Sequence, residues 1–84
     1  MVNKFYTAKE YFCFRNCTKI VLNTKYSKSK ITFYQNDNKA DTNSILGLCS
    51  LCIKENDLFL VSISGVDEQE TFNSLNLLLK QIAY

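Results

Sequence analysis

The 84-residue chain is 46% hydrophobic and 21% charged, with six Phe and five Tyr; this composition excludes disorder, and the length allows one core, so residues 1–84 are expected to form a single domain. It contains no histidine, which excludes Ser-His and Cys-His nucleophilic pairs, imidazole metal ligands and phosphohistidine. Ten basic against eight acidic side chains give a net charge of +2, too little for a nucleic-acid footprint, and neither a membrane span nor a secretory h-region is present, so the expectation is a cytoplasmic protein with no direct nucleic-acid or membrane partner.

From the N-terminus, β-prone Val2, Phe5, Tyr6 and Thr7 predict a half-buried strand that ends in a loop near Lys9 and Glu10. Asn16 reads as the N-cap of a helix to about Tyr26, with Cys17, Ile20, Val21 and Thr24 on one stripe. Alternation around Ile31 and Phe33 predicts a strand, Asn36-Asp37-Asn38 a turn, and Lys39 to Asp41 the return strand of a hairpin. Asn43 and Ser44 precede a short apolar helix through Ile45, Leu46, Leu48, Cys49, Leu51, Cys52 and Ile53, some of which must be exposed. Leu58 to Ser64 predicts a strand with Phe59, Val61 and Ile63 facing inward. That sends Leu58 and Leu60 outward beside Tyr34, making the outer sheet face apolar. After Gly65, Asp67 and Glu70 resemble a capping box for a helix with Phe72, Leu75, Leu78, Leu79 and Ile82 on its buried side. The order β-α-β-β-α-β-α predicts an α+β domain with its helices on one face of an antiparallel sheet.

The segment from Asn43 to Ile53, NSILGLCSLCI, and the later Ser62-Ile63-Ser64-Gly65-Val66-Asp67-Glu68 resemble the HPr family, the small phosphocarrier proteins of the bacterial sugar phosphotransferase system. The corresponding family pattern is Ser followed by Ile-Met-Gly, then Ser-Leu-Gly-Ile, and later Ser-Gly-Asp-Glu. The resemblance implies an open-faced β-sandwich of four strands and three helices. Aligned on Ser44, the family motif Gly-Ile-His-Ala-Arg-Pro-Ala-Thr falls on residues 11–18, Tyr-Phe-Cys-Phe-Arg-Asn-Cys-Thr, where Arg15 and Thr18 match. Cys13 replaces the phosphorylated histidine, Phe14 a small residue and Asn16 the helix-starting Pro. The family's Crh-like branch, in catabolite repression, has likewise lost the histidine and kept the regulatory serine. Cys52 stands where the family has Gly.

Ser44 matches the serine modified by HPr kinase/phosphorylase in Gram-positive relatives. A phosphate at a helix N-terminus is favoured by roughly 0.3–1 kcal/mol, although a capping serine is also common there. Ile45, Leu46 and Cys49 match the family's apolar docking patch, with Phe14 beside them as a further partner-binding residue. Cys13, at a helix start and two residues from Arg15, has the setting of an activated thiol; a buried, inert cysteine is the alternative. Cys13, Cys17, Cys49 and Cys52 match the count of a zinc site, but their helical placement argues against one, and neither metal nor cofactor is expected.

The resulting expectation is a regulatory phosphoprotein of carbon catabolite control, switched at Ser44 and acting by recognition. Its implied partners are an HPr kinase/phosphorylase-type enzyme and either Enzyme I or a LacI-type transcriptional regulator. A homodimer through the apolar sheet face or an exchanged first strand is a further hypothesis. Two alternatives stay open: a phosphocarrier with Cys13 as acceptor assisted by Arg15, and a degenerate paralogue with neither activity.

Overall fold

Apolar residues at every second position of a strand and every third or fourth position of a helix can share one core only if the helices lie on one face of the sheet. The computed structural model, which describes residues 1–84, has this arrangement. Its elements are β1 (Val2–Thr7), α1 (Phe14–Asn23), β2 (Lys30–Gln35), β3 (Asn38–Asp41), α2 (Ile45–Ser50), β4 (Leu58–Ser64) and α3 (Glu68–Ile82). The four strands form an antiparallel sheet in the order β1-β4-β2-β3. The fold is the expected α+β open-faced sandwich.

β4 is central, and its inward residues Phe59, Val61 and Ile63 are buried as the alternation predicts. Ile20 of α1, Leu48 of α2, and Leu75 and Leu79 of α3 share the same core. Phe59 is its aromatic hub, with ring centroids 5.5 Å from Tyr6, 5.0 Å from Phe12 and 5.8 Å from Phe33.

Three helix boundaries differ from the sequence-based expectation. Cys13, not Asn16, is the N-cap of α1, and the helix ends at Asn23. Asn16 is buried inside the first turn, where its amide donates to Glu10 Oε1 and to the Tyr11 carbonyl, both at 3.0 Å. It therefore ties the preceding loop to the helix. α2 stops at Ser50 because Leu51 and Cys52 leave it through i−3 hydrogen bonds, Leu51 N to Leu48 O and Cys52 N to Cys49 O.

At α3 the capping box does not form: Asp67 is the N-cap residue but makes no side-chain cap bond. Its carboxylate accepts instead from Lys28 N at 2.9 Å and from the Ser29 hydroxyl. These bonds hold it below the ordinary carboxylate range, the Lys28 N–H contributing most. Gly65 is required at this junction, since a Cβ there would lie 2.6 Å from Ser29 Cα. The helical stripe also stops before the C-terminus. Ala83 is extended, bridges to Ala8, and is followed by Tyr84, whose N–H donates to Thr7 O at 2.8 Å.

Cys52 has φ 53° and is exposed. The left-handed region costs a non-glycine residue roughly 1–2 kcal/mol, while glycine costs roughly 0.5–1 kcal/mol more chain entropy than alanine on folding. Cys52→Gly is therefore expected to stabilise the protein by about 0.5–1 kcal/mol, seen as a higher urea midpoint with an unchanged slope.

The outer sheet face is less apolar than the alternation implied. Phe5, Leu60 and Tyr34 are cross-strand neighbours in one row, with Leu58 one step along β4. The next row towards the other end is polar: Asn3, Ser62, Thr32 and Asp41 are paired in register across all four strands.

Candidate functional site

The loop before α1 is held from both sides. Phe12 N–H donates to the Ile53 carbonyl at 2.9 Å and its ring is buried against Phe59. This fixes the backbone entering Cys13. Cys13 is extended (φ −71°, ψ 173°), half-buried, and its carbonyl accepts the Cys17 N–H at 3.0 Å. Phe14 is 62% exposed and so is free to meet a partner. Arg15 is exposed and has no carboxylate partner, the one salt bridge joining the Met1 ammonium to Glu68.

Ser44 begins α2. Its backbone N–H donates to Asp41 O at 3.2 Å, its hydroxyl accepts the Gly47 N–H at 3.0 Å, and its carbonyl accepts the Leu48 N–H at 3.1 Å. The side chain is thus an N-cap while remaining exposed. On the helix that follows, Leu48 is buried, Ile45 and Cys49 are partly buried, and Leu46 is 77% exposed. The predicted patch is therefore graded, with Leu46 its most accessible member.

α1 and α2 meet at a cluster of thiols. Cys17 is completely buried one turn below Cys13, donates to the Phe12 carbonyl at 3.7 Å, and faces the side of α2 that carries Cys49. Burial pushes the Cys17 thiol up to about 12, reinforced by the neighbouring Cys49 and Cys13 thiols. Cys17 consequently stays a neutral thiol near neutral pH. All four cysteines are free, and no group of three or more Cys, Asp or Glu side chains is arranged to hold a metal ion.

The fold therefore joins the two regions singled out in sequence through Cys17 and Cys49. Cys13 lies one turn from Cys17, and Ser44 lies five residues before Cys49, about 7.5 Å along the helix axis. Sequence reasoning placed Tyr34 on the outer face but missed the cavity of about 440 Å³ that it lines there together with Lys30, Thr32, Lys39, Asp41 and Ser62. The period-two spacing of Lys30, Thr32 and Tyr34 was its only local signal.

Comparison with solved structures finds the same architecture in three relatives. An HPr-C-His protein from Thermoanaerobacter tengcongensis matches with a TM-score of 0.87 at 23% identity, covering 96% of this chain and 93% of its own. The histidine-containing phosphocarrier protein of a Mycoplasma matches with a TM-score of 0.89 at 15% identity, covering 95% and 93%. Crh, a catabolite-repression protein of Bacillus subtilis solved as a swapped dimer, matches with a TM-score of 0.77 at 23% identity, covering 87% and 84%. No curated protein sequence matches the chain. These likenesses establish the fold. The family follows from the sequence itself, because the model of the "PTS HPr component phosphorylation site" matches residues 12–81, from the loop that carries Cys13 through nearly all of α3: the chain belongs to the HPr family of the phosphotransferase system.

Proposed function

We propose that this HPr-family chain is a regulatory phosphoprotein of carbon catabolite control, switched by phosphorylation of Ser44 by an HPr kinase/phosphorylase-type enzyme. The observation that carries this reading is the Ser44 hydroxyl, exposed at the head of α2 beside the projecting Leu46, in a chain with no histidine to phosphorylate. Phosphorylation replaces a neutral cap with a group of about −1.5 to −2 charge and three strong acceptor oxygens. The phosphoryl oxygens can keep the Gly47 N–H bonded, so the fold survives while the neutral head of α2 becomes negative. A partner such as a LacI-type transcriptional regulator would read that charge together with Leu46, Ile45 and Cys49, with exposed Phe14 and Arg15 at the head of α1 completing the surface.

Intact mass after incubation with HPr kinase and ATP tests the proposal. The expected result is one acid-stable phosphoryl group, mapped to Ser44 and abolished by Ser44→Ala. An adduct on Cys13 after incubation with Enzyme I and phosphoenolpyruvate, with none on Ser44, makes the chain a phosphocysteine carrier instead. No adduct under either condition makes it a degenerate paralogue.

A further inference from the structure

We propose that the cavity on the outer sheet face, opposite the helices, is a binding site for a phosphorylated sugar. This inference is independent of Ser44 and Cys13, which belong to the helical side of the domain.

The sheet register builds the site. Thr32 of β2 pairs with Ser62 of β4 on one side and with Asp41 of β3 on the other. Two residues along β2, Tyr34 pairs with Lys39, and two residues the other way lies Lys30. Directly paired side chains on one face have Cβ atoms about 4.5–5.5 Å apart, so these six residues form a continuous patch. It is a half-open concavity of about 440 Å³, its rim completed by Met1 and Ser64, within the range of roughly 300–1,000 Å³ typical of small-molecule sites.

The polar groups in the patch are largely unspent. Lys30 and Lys39 form no ion pair, the chain's one salt bridge lying between Met1 and Glu68. The Thr32, Ser62 and Tyr34 hydroxyls have no hydrogen-bond partner within the chain, and Asp41 uses Oδ1 for the Asn43 N–H at 2.9 Å, which leaves Oδ2. Two ammonium groups against one carboxylate make the cavity attractive to an anion.

The carboxylate and hydroxyls match a different part of the ligand. A carboxylate beside paired hydroxyls recognises vicinal alcohols, and the face of an aromatic ring packs against the C–H face of a sugar. Lys39 or Lys30 holds the phosphate, Asp41, Thr32 and Ser62 bond the sugar hydroxyls, and Tyr34 supports the ring. An acidic peptide would satisfy the lysines but place a carboxylate or carbonyl against Asp41. A second copy of this chain, with net charge +2, would bring more positive charge to the lysines.

The test is an NMR titration of the isotope-labelled full chain with glucose 6-phosphate, glucose and inorganic phosphate in parallel. Saturable shifts confined to residues 30–34, 39–41 and 60–64 are expected with glucose 6-phosphate, with at least about tenfold weaker binding of each fragment alone. Thr32→Val and Lys39→Gln should each weaken binding at least about threefold while leaving the thermal midpoint within a few degrees, because both positions face outward. The proposal is overturned if inorganic phosphate binds as tightly as glucose 6-phosphate, which makes this a bare anion site. It is overturned equally if the shifts map to the helices, or if no ligand acts and the same resonances broaden with protein concentration, which assigns the face to a second copy.

Discussion

Supplied with Enzyme I and phosphoenolpyruvate, this chain is expected to support sugar phosphorylation at least about 10³-fold more slowly than a histidine-bearing HPr, a loss of the size seen when a catalytic nucleophile is removed. A relay needs an acceptor whose phosphoryl potential lies close to those of its donor and its next acceptor, and the chain has no imidazole to supply one. Cys13 is the only nucleophile at the corresponding place. It is half-buried at the head of α1, with bulky Phe14 beside it and Asn16 where the helix-starting Pro would stand. Asn16 replaces the rigidity of Pro by bonding Glu10 and the Tyr11 carbonyl, so the loop is fixed by side-chain bonds the usual motif does not use. Cys13→His should therefore gain measurable phosphorylation by Enzyme I yet remain well short of full transport, since the docking surface around the new imidazole still differs. Sugar phosphorylation by the unmodified chain that is lost on Cys13→Ser would instead establish the phosphocysteine carrier.

How much of this was legible in the sequence depended on the range of the interactions. The inward set of β4 and the stripe of α3 were readable because local periodicity alone decides which side meets the core, and Leu75, Leu79 and Ile82 are buried accordingly. The errors fall where a residue with a familiar local use spends its side chain elsewhere. Asp67 had the spacing of a capping box, but its partners Lys28 and Ser29 lie 39 and 38 residues away. Asn16 had the chemistry of a cap, yet its amide turns back to residues five and six positions earlier. The candidate site divides in the same way. Ser44 as a cap followed from local pattern, whereas the place of Cys13 one helical turn from Cys17 did not, because the helix was read as starting at Asn16 and starts instead from Cys13. The approach of Cys49 to Cys17 depends on the packing of α1 against α2, and the hydroxyl-lined cavity depends on the register of three strands. Local pattern encodes nothing of the first and, of the second, only the period-two spacing along β2.

The core substitution with the largest expected effect is Phe59→Ala, which should remove about 3–5 kcal/mol of stability. Phe59 is 1% exposed and contacts three other rings, Tyr6, Phe12 and Phe33, so the cavity left by truncation is bounded by rigid groups that cannot collapse into it. At roughly 0.05–0.15 kcal/mol per residue, a chain of this length has a total margin of about 4–13 kcal/mol, so the loss takes a large share of it and should lower the thermal midpoint followed by circular dichroism by roughly 12–40 °C. Leu58→Ala, one residue away on the outward face and 58% exposed in the parent, should change stability by no more than about 0.5 kcal/mol. The contrast checks the strand's facing directly. Phe59→Leu carries the argument to the site: it keeps most of the volume but removes the ring against which Phe12 packs edge-on. The domain should stay folded, while the loop from Phe12 into Cys13 loses one of its two anchors and keeps the Phe12 to Ile53 backbone bond. Faster amide exchange confined to residues 10–14, with β2 and β4 protection unchanged, is the expected signature. Uniform loss of protection would mean that the loop and the core open as one unit.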